Sequence, residues 1–395
     1  MQVLILNSGS SSLKFQLFSM PKETILCSGI VERIGFNDSF FKFKTDTDTV
    51  ELESQISNHK TALKLVAQHL FDKNIGVVKS AEDIAIVGHR VVHGGIYFSD
   101  TTEITNEVKE KIKTLSSLAP LHNPANLEGI VVAEDIFPNA KQVAVFDTAF
   151  LQSIPEVAYK YAIPNEFLTE HHIRLYGFHG TSHKYVSEKA IAFLGKKESK
   201  IITIHLGNGC SMTAIKNGKS IDHSMGFSPL EGLIMGTRSG SIDPSIIFYL
   251  KDKLKYSLKE INALLNKKSG MLGLTGYSDL RDIETFAAKG NKDCILALEM
   301  NAYRIKKYIG SYAAALNGLD AIVFTAGIGE NSKHMRQLIC KDLDFLGINL
   351  DTEKNNSDLR TIREISTADS KTKILVVPTN EELEIAKQAM ELIKN

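Results

Sequence analysis

The stretch "LILNSGSSSLKFQLF", residues 4–18, predicts two buried strands joined by a turn of small polar residues. The first strand is the apolar run Val3–Leu6, and the second contains the apolar residues on either side of Lys14. Between them lie Asn, Ser and Gly, residues 7–12. Backbone N–H groups in such a turn can bind an anion, and serine hydroxyls add donors. A solvated serine-rich hairpin explains this stretch equally well.

A similar turn occurs 200 residues later, in "LGNGCSMTAI", residues 206–215. Aligned with "LNSGSSSLKF", it shares a glycine (Gly9 and Gly209) and a serine (Ser11 and Ser211). Each turn follows an apolar strand and leads into another one. This internal similarity predicts two related domains, each with a hairpin of small residues at the same place.

Strand and helix signals alternate along the chain, which predicts an α/β protein. Apolar, β-branched runs predict strands at residues 3–6, 84–87, 143–146, 201–206, 321–324 and 374–377. Helix signals are N-caps followed by proline at Asn123-Pro124 and Asp243-Pro244, a capping box from Ser257 to Glu260, and a long helix over 291–316 that ends at Asn317-Gly318. We expect one domain over 1–150, completed by a C-terminal helix over 382–395, and a second over 151–381.

Composition argues against several classes of protein. The 395 residues contain 46 Lys and Arg and 46 Asp and Glu, and this balance disfavours binding to nucleic acid or to a membrane surface. The four cysteines form no CxxC pair, so we expect reduced and mostly buried thiols. The sequence begins with a strand signal instead of a secretory signal, and no apolar run reaches the ~20 residues that span a bilayer. We therefore expect a cytoplasmic protein.

Glycine-rich turns follow two predicted strands of the second half, the turn "HLGNGCS" at 205–211 described above and "TAGIGENS" at 325–332. The second matches GxGxxG only in part, because Ser332 occupies the third glycine position. The segment "TAIKNGKS", 213–220, ends like a P-loop but lacks its first glycine, and its Asn217-Gly218 predicts a type I′ hairpin turn. These turns predict a nucleotide-binding cleft between two duplicated domains.

Polar residues lie near strand ends among glycines, where α/β proteins bind ligands. They are Arg90, Asp147, His179, Arg238 and Glu381. Each alone has an ordinary explanation as a surface ion pair, a turn former, a structural histidine or a partner of a helix dipole. Together they predict a ligand site, and two arginines suit a planar anion that they can bind bidentately.

With these residues in view, the chain closely resembles the acetate kinase family over essentially its whole length. The matching motifs, in the family's order, are "NSGSSSLKF", "GHRVVHGG", "LAPLHNPAN", "FDTAF", "YGFHGTSH", "HLGNGCS", "MGTRSGSIDP" and "PTNEELEIA". The resemblance implies duplicated ribonuclease-H-like domains of the actin-like ATPase superfamily, an active-site cleft between these domains, and a homodimer. It also implies Mg²⁺ as the metal, with Mn²⁺ able to substitute, and acetate and ATP as substrates.

The resemblance further implies roles for individual residues. Asn7 and Glu381 would hold the metal, Arg90 the carboxylate substrate, and Asp147 would be the essential acid or base. His179 and Arg238 would stabilise the transition state. A small pocket for the acetate methyl would be lined by Val92, Leu121, Phe178 and Pro229. ATP would be bound by Lys14, His205, Leu206, Gly207, Asn208, Gly209, Asp279, Leu280, Arg281, Gly327, Ile328, Gly329, Glu330 and Asn331. Cys210 stands where we expect alanine.

The predicted reaction is ATP + acetate ⇌ ADP + acetyl phosphate, by direct in-line transfer. Since acetate is already ionised at neutral pH, we hypothesise that Asp147 orients Arg90 or a metal-bound water and is not a true base. A propionate or butyrate kinase of the same family is the first alternative. Kinases of sugar or glycerol hydroxyls need a base but not two arginines at the acceptor, and an actin-like ATPase without acyl kinase activity is more remote.

Overall fold

The computed structural model describes residues 1–120 and 122–394, and its chain divides into two compact units. The first unit is Met1–Phe150 with Asn380–Asn395, and the second is Leu151–Thr379. Glu381 therefore belongs to the first unit, whereas the sequence-based division placed it at the end of the second domain.

The first unit is a mixed sheet covered by helices. Its strands are β1 (Gln2–Ser8), β2 (Ser12–Ser19), β3 (Thr24–Glu32), β4 (Ser39–Lys44), β5 (Thr49–Ser54), β6 (Ile84–Val91), β7 (Thr102–Glu103) and β8 (Lys141–Phe146). Its helices are α1 (His59–Leu70), α2 (Asn106–Thr114), α3 (Asn123–Ile136) and α15 (Glu381–Lys394). The sheet order is β5-β4-β3-β2-β1-β6-β8-β7, with β6 parallel to β1 and β8 parallel to β6.

The buried strands of this unit carry apolar residues on both faces, which is why they appear in the sequence as continuous apolar runs. In β1, Leu4 and Leu6 belong to the core under α1 and α3. Ile5 points the other way, where Gly88 of β6 lies against Ile385 of α15. The C-terminal helix is thereby part of the first unit's core.

The second unit has the same plan. Its strands are β9 (Lys200–Leu206), β10 (Cys210–Lys216), β11 (Lys219–His223), β12 (Ala321–Thr325), β13 (Arg363–Glu364) and β14 (Lys373–Val376). Its helices are α4 (Glu156–Tyr159), α5 (Glu166–Thr169), α6 (Gly180–Leu194), α7 (Ser245–Asp252), α8 (Leu258–Lys267), α9 (Gly270–Thr275), α10 (Leu280–Ala288), α11 (Lys292–Leu316), α12 (Ala326–Asn331), α13 (Lys333–Cys340) and α14 (Thr352–Asn355). The sheet order is β11-β10-β9-β12-β14-β13.

The two sheets repeat one strand order, which confirms the predicted duplication. In each, three antiparallel strands (β3-β2-β1 and β11-β10-β9) are followed by two strands parallel to the innermost one. The two similar turns found in the sequence join the first two strands of their sheets, β1 to β2 and β9 to β10. The Asn217-Gly218 turn has positive φ at both residues (53° and 78°), as a type I′ hairpin requires.

The six predicted strands are confirmed as β1, β6, β8, β9, β12 and β14, and the long helix as α11 with Asn291 and Asn317 as its caps. The capping box of α8 is present. Two N-cap predictions are wrong: α3 is capped by His122, so that Asn123 is its first residue, and α7 is capped by Pro244.

All four cysteines are free and buried, as expected. Among the described residues, no helix has both the length and the apolarity to cross a membrane.

Candidate functional site

Polar side chains gather at the carboxyl ends of three adjacent strands of the first unit. Asn7 is near the end of β1, Arg90 is near the end of β6, and Asp147 follows β8 directly. Because β1, β6 and β8 are mutually parallel, these ends lie at one edge of the sheet. The structure therefore brings together three residues that are up to 140 positions apart in the chain.

Arg90 and Asp147 form a forked ion pair. Arg90 Nε lies 3.0 and 3.1 Å from the two carboxylate oxygens of Asp147, and Nη2 lies 2.5 Å from Oδ2. Arg90 Nη1 donates at 3.4 Å to Asn7 Oδ1. Burial alone would lower the pKa of Arg90, but the charges of Asp147 and of Glu381 outweigh it and raise the pKa above its usual value. The pair holds a fixed positive charge beside a buried carboxylate.

The first turn of α15 adds two carboxylates to this edge. Glu381 Oε2 lies 3.9 Å from Arg90 Nε, and Glu382 accepts from Lys14 Nζ at 2.5 Å. Burial raises the pKa of Glu381 and, together with the charges of Asp147 and Glu382, outweighs the lowering by Arg90 and Lys14. Three carboxylates thus face two cations, so the group carries an excess of negative charge.

The oxygen donors of this group suit a hard divalent cation. Asn7 and Glu381 offer amide and carboxylate oxygens, and Mg²⁺ is usually held by one or two such groups together with substrate phosphates. Within the described part of the chain, no three acidic, histidine or cysteine residues form a complete metal site. The residues therefore fit a metal that shares its coordination with a bound phosphate.

Two asparagines of α3, which the sequence analysis did not single out as site residues, fix the segment after β6. Asn126 Oδ1 accepts from Val92 N at 3.1 Å, and its Nδ2 donates to Ser8 O at 2.7 Å. Asn123 accepts from His93 N and donates to His93 O, at 3.1 and 3.0 Å. The only local signal is the Asn123-Pro124 pair, which predicts a cap; the Asn123 side chain instead bonds to the backbone of His93.

The second unit contains a pocket of about 660 Å³, a volume typical of small-molecule sites. Eight residues of the predicted ATP set line it: Gly207, Asn208, Asp279, Leu280, Arg281, Gly327, Ile328 and Asn331. Another cavity of similar volume, at the end of α11, contains none of the predicted residues. The pocket between the β9–β10 turn, α10 and α12 is therefore the candidate nucleotide pocket.

The remaining members of the predicted ATP set do not line this pocket. They are Lys14, which belongs to the first unit, and His205, Leu206, Gly209, Gly329 and Glu330. The pocket also has walls that the sequence analysis missed: Cys210, Ile234, Met235, Gly236, Met271, Ser278, Glu284, Asn301 and Ser332. Several adjoin recognised motifs, whereas Met271 and Asn301 come from α9 and α11 and carry no local signal.

The "TAGIGENS" segment forms the short helix α12 immediately after β12. Its last turn is held by Arg336, a buried arginine whose Nη1 donates at 2.9 Å to Gly329 O and at 2.9 Å to Glu330 O. The Glu330 side chain accepts from Thr379 N at 3.0 Å. Glu330 does not line the pocket. It thus holds the pocket wall α12 in place through its backbone carbonyl, which accepts from Arg336, and through its side chain, which accepts from Thr379.

A cluster of histidines lies next to the β9–β10 turn. His179 stacks on His205 with ring centroids 4.4 Å apart, and His183 and His223 pack edge to face at 5.3 Å. His179 has the left-handed φ of 59° and caps α6. Burial lowers the pKa of His223 to about 3.

The residues predicted to stabilise the transition state or to contact the acetate methyl have the following surroundings. Arg238 donates at 3.2 Å to Pro229 O, and burial lowers its pKa. Phe178 is buried, and its N–H donates at 3.2 Å to His223 Nε2. Val92 is buried in the first unit. Leu121 lies outside the described residues.

Comparison with known proteins agrees with this geometry. A family profile described as the Acetokinase family matches residues 2–387. The chain is 65% identical over 395 residues to the acetate kinase of Flavobacterium johnsoniae, covering all of both chains. Among solved structures, the acetate kinase of Porphyromonas gingivalis superposes with a TM-score of 0.94 at 47% identity, and a propionate kinase of Francisella tularensis with a TM-score of 0.93 at 45% identity. Each covers 99% of this chain and is itself covered to 99%.

Proposed function

Because this chain belongs to the acetokinase family and has acetate kinase function, we propose that it transfers the γ-phosphoryl group of ATP directly to the acetate carboxylate. The products are acetyl phosphate and ADP, and the reaction is reversible. Phosphoryl transfer of this kind depends on positioning and charge neutralisation more than on proton transfer.

The observation that carries the proposal is the Arg90–Asp147 pair at the ends of β6 and β8. Asp147 binds the Nε–Nη2 edge of the guanidinium. The Nη1–Nη2 edge is the one that suits a second carboxylate, since a guanidinium binds carboxylates bidentately along an edge. Asp147 thus fixes the plane of Arg90, and acetate binds along the adjoining edge.

The other roles are supported by the pocket lining and the side-chain donors of the second unit. Gly207, Asn208, Asp279 and the first residues of α12 bind the nucleotide in the candidate nucleotide pocket. His179 and Arg238 donate to the oxygens of the transferring group, and removing one such donor typically costs ~10²–10³ in rate. The glycine-rich turn admits the phosphates because side chains there are small.

Asn7 and Glu381 hold Mg²⁺, or Mn²⁺ in its place. When bound, the metal supplies positive charge to the phosphate oxygens of ATP. The excess negative charge of the group formed by Asp147, Glu381, Glu382, Arg90 and Lys14 supports this assignment.

We also propose that the enzyme is a homodimer. Helix α7 has no buried residue, yet it carries Ile246, Phe248 and Tyr249 at 44%, 64% and 59% exposure. Leu254 and Leu258 continue this exposed apolar surface, which we call the 246–258 surface. Contiguous apolar surfaces of this kind mark protein interfaces, and a second copy of the chain would cover it.

The direct test is acyl phosphate formation, trapped with hydroxylamine, with Mg-ATP and acetate, propionate or butyrate in parallel. One extra methylene in an apolar pocket changes binding by ~1–3 kcal/mol, so we expect the signal to fall as the acid lengthens. A maximum at propionate would retain the mechanism and change the substrate. ATP hydrolysis without any acyl phosphate would contradict the proposal.

The role of Asp147 has a separate test in Asp147→Asn. If Asp147 orients Arg90, kcat falls by roughly 10²–10³ while the pH–rate profile keeps its shape. The matched control is Lys14→Met, which removes a charge from the same group without touching Arg90. Disappearance of one limb of the profile in Asp147→Asn alone would show that Asp147 acts as a base.

A further inference from the structure

A chain of hydrogen bonds runs from the interior of the second unit to His179. Thr203 Oγ1 lies 2.7 Å from His183 Nδ1, and His183 Nε2 lies 2.8 Å from Ser211 Oγ. The same Ser211 oxygen lies 2.9 Å from His179 Nδ1. Thr203, His183 and Ser211 have no exposed surface, so water does not compete for these contacts.

The surroundings of His183 favour its neutral imidazole. Burial lowers its pKa well below the usual value, and His223 and His205 lower it further. A neutral imidazole carries one N–H, so that one of its nitrogens donates and the other accepts. Since each hydroxyl also has one proton, the chain can run in either of two directions. A third arrangement, in which Ser211 accepts from both imidazoles, leaves the buried Ser211 proton with neither of its two contacts.

The alternatives are distinguished by Thr203. If its hydroxyl donates to His183 Nδ1 at 2.7 Å, His183 Nε2–H donates to Ser211, and Ser211 donates to His179 Nδ1. In the reverse direction the Thr203 proton is left with Thr213 O, which lies 3.5 Å away. A donor–acceptor distance of ~3.5 Å makes a much weaker hydrogen bond than one of ~2.7 Å. The first direction therefore has the lower energy.

We propose that Thr203, His183 and Ser211 are positioning residues that hold His179 as the neutral imidazole with its proton on Nε2. The proposal rests on the proposed function, in which His179 donates to the transferring phosphoryl group. His179 then donates without being protonated, and its donor persists as the pH rises. Protonation of Nδ1 would remove the acceptor of the Ser211 hydroxyl, so that Ser211 would have to donate to His183 instead or lose its acceptor.

In the second unit, the charge of Arg238 near His179 favours the neutral ring. His205 stacks on it from β9, and His183 lies one helical turn further along α6. Arg238 lies close to the same point: a Cβ at Gly209 would be 3.3 Å from His179 Nε2 and 3.9 Å from Arg238 Nη1. Cys210 is a neutral thiol, because burial raises its pKa to about 12. A nearby guanidinium opposes a second positive charge.

The first experiment is ¹⁵N NMR of histidine-labelled full-length enzyme between about pH 6 and 9, the range in which histidine ordinarily titrates. The His179 signals are assigned by their loss in His179→Gln. We expect the Nε2–H tautomer in the wild type across this range. An Nδ1–H tautomer, or an imidazolium at neutral pH, would overturn the proposal, whether or not the enzyme makes acyl phosphate.

The second experiment compares three variants of buried threonines. Thr203→Val removes the hydroxyl that sets the direction, and Thr203→Ser restores it. Thr213→Val is the matched control, since Thr213 is equally buried and its Oγ1 lies 2.8 Å from Nδ1 of a different histidine, His223. Each Val variant loses one buried hydrogen bond, so their stabilities should fall alike.

We expect Thr203→Val to populate both His179 tautomers in the NMR spectrum. Its kcat should fall roughly 10-fold, as for loss of an outer-shell hydrogen bond, with a steeper loss at alkaline pH and an unchanged KM for ATP. Thr203→Ser and Thr213→Val should keep the wild-type tautomer and pH profile. The same loss in Thr213→Val, or an unchanged tautomer in Thr203→Val, would contradict the proposal.

Discussion

At Gly327 a methyl group would meet no protein atom within 4 Å, although this residue lines the candidate nucleotide pocket. Gly327→Ala should therefore keep or raise the melting temperature, because alanine favours a helix by up to ~1 kcal/mol. If the nucleotide passes against this backbone, the added methyl raises the KM for ATP about 10-fold or more. Steady-state kinetics and thermal melting measure the two effects.

Gly310→Ala is the matched control for this substitution. A methyl group at Gly310 would also meet no protein atom within 4 Å, but this residue lies on α11 outside the candidate nucleotide pocket. It should show the same change in melting temperature with an unchanged KM for ATP. An unaltered KM in Gly327→Ala would place the nucleotide elsewhere.

Glu381 combines a proposed binding role with a cost to stability. Its raised pKa means that the folded protein binds a proton here more tightly than the unfolded chain does. The ionised form therefore destabilises the fold at neutral pH, and this penalty fades as the pH falls through the raised pKa. Glu381→Gln should raise the melting temperature by about 1–4 °C at neutral pH, and the difference should shrink in acid.

The same substitution should reduce kcat by ~10² or more, because it removes a proposed metal ligand. Glu391→Gln is the control, a glutamate of the same helix that is exposed and far from the group around Arg90. A fall in melting temperature for Glu381→Gln would mean that its pairing with Arg90 outweighs its burial and the repulsion from Asp147 and Glu382.

At the scale of the element, α3 acts on the first unit's site through its first two turns. Asn126→Ala would leave Val92 N–H without its acceptor and Ser8 O without its donor, and each unpaired buried group costs ~1–3 kcal/mol. We expect a lower melting temperature and, because Val92 follows Arg90 closely, a KM for acetate raised about 10-fold with little change for ATP. Equal changes in both KM values would indicate general destabilisation.

Local patterns predicted the elements well because their causes are local. Apolar runs predicted the six central strands, and Asn291 and Asn317 bounded α11 to within a residue. Asn123 shows the limit of prediction from local patterns. Its side chain could cap a helix, but it bonds instead to His93, thirty positions away. No pattern within a few residues distinguishes these two uses of an asparagine.

The candidate site could be predicted only in part, for the same reason. The Arg90–Asp147 pair arises because strand order places β6 beside β8, and motifs at strand ends indicated both residues. Met271 and Asn301 line the candidate nucleotide pocket because α9 and α11 fold over the second sheet. Such contacts depend on tertiary packing, so the sequence around each residue carries no sign of them.

At the scale of the whole molecule, the two units share one fold but carry different functional residues. The same strand order recurs in both units, with a small-residue hairpin at the same place. In the first unit the edge near this hairpin carries Arg90, Asp147 and Glu381, which suit a carboxylate and a metal. In the second unit it adjoins a pocket of nucleotide size and the cluster around His179. Each copy of the fold thus carries a distinct part of the proposed reaction.

The assembly of two such chains can be tested through the 246–258 surface. Phe248→Asp places a charge on a side chain that is 64% exposed in the single chain, so the chain itself should fold normally. Buried in a dimer, that charge would lose its hydration, which costs several kcal/mol. Analytical ultracentrifugation should show twice the 43.6 kDa chain mass for the wild type and a single chain for the variant. Phe345→Asp, at a phenylalanine that is 76% exposed and lies outside this surface, should remain dimeric; a dimeric Phe248→Asp would place the interface elsewhere.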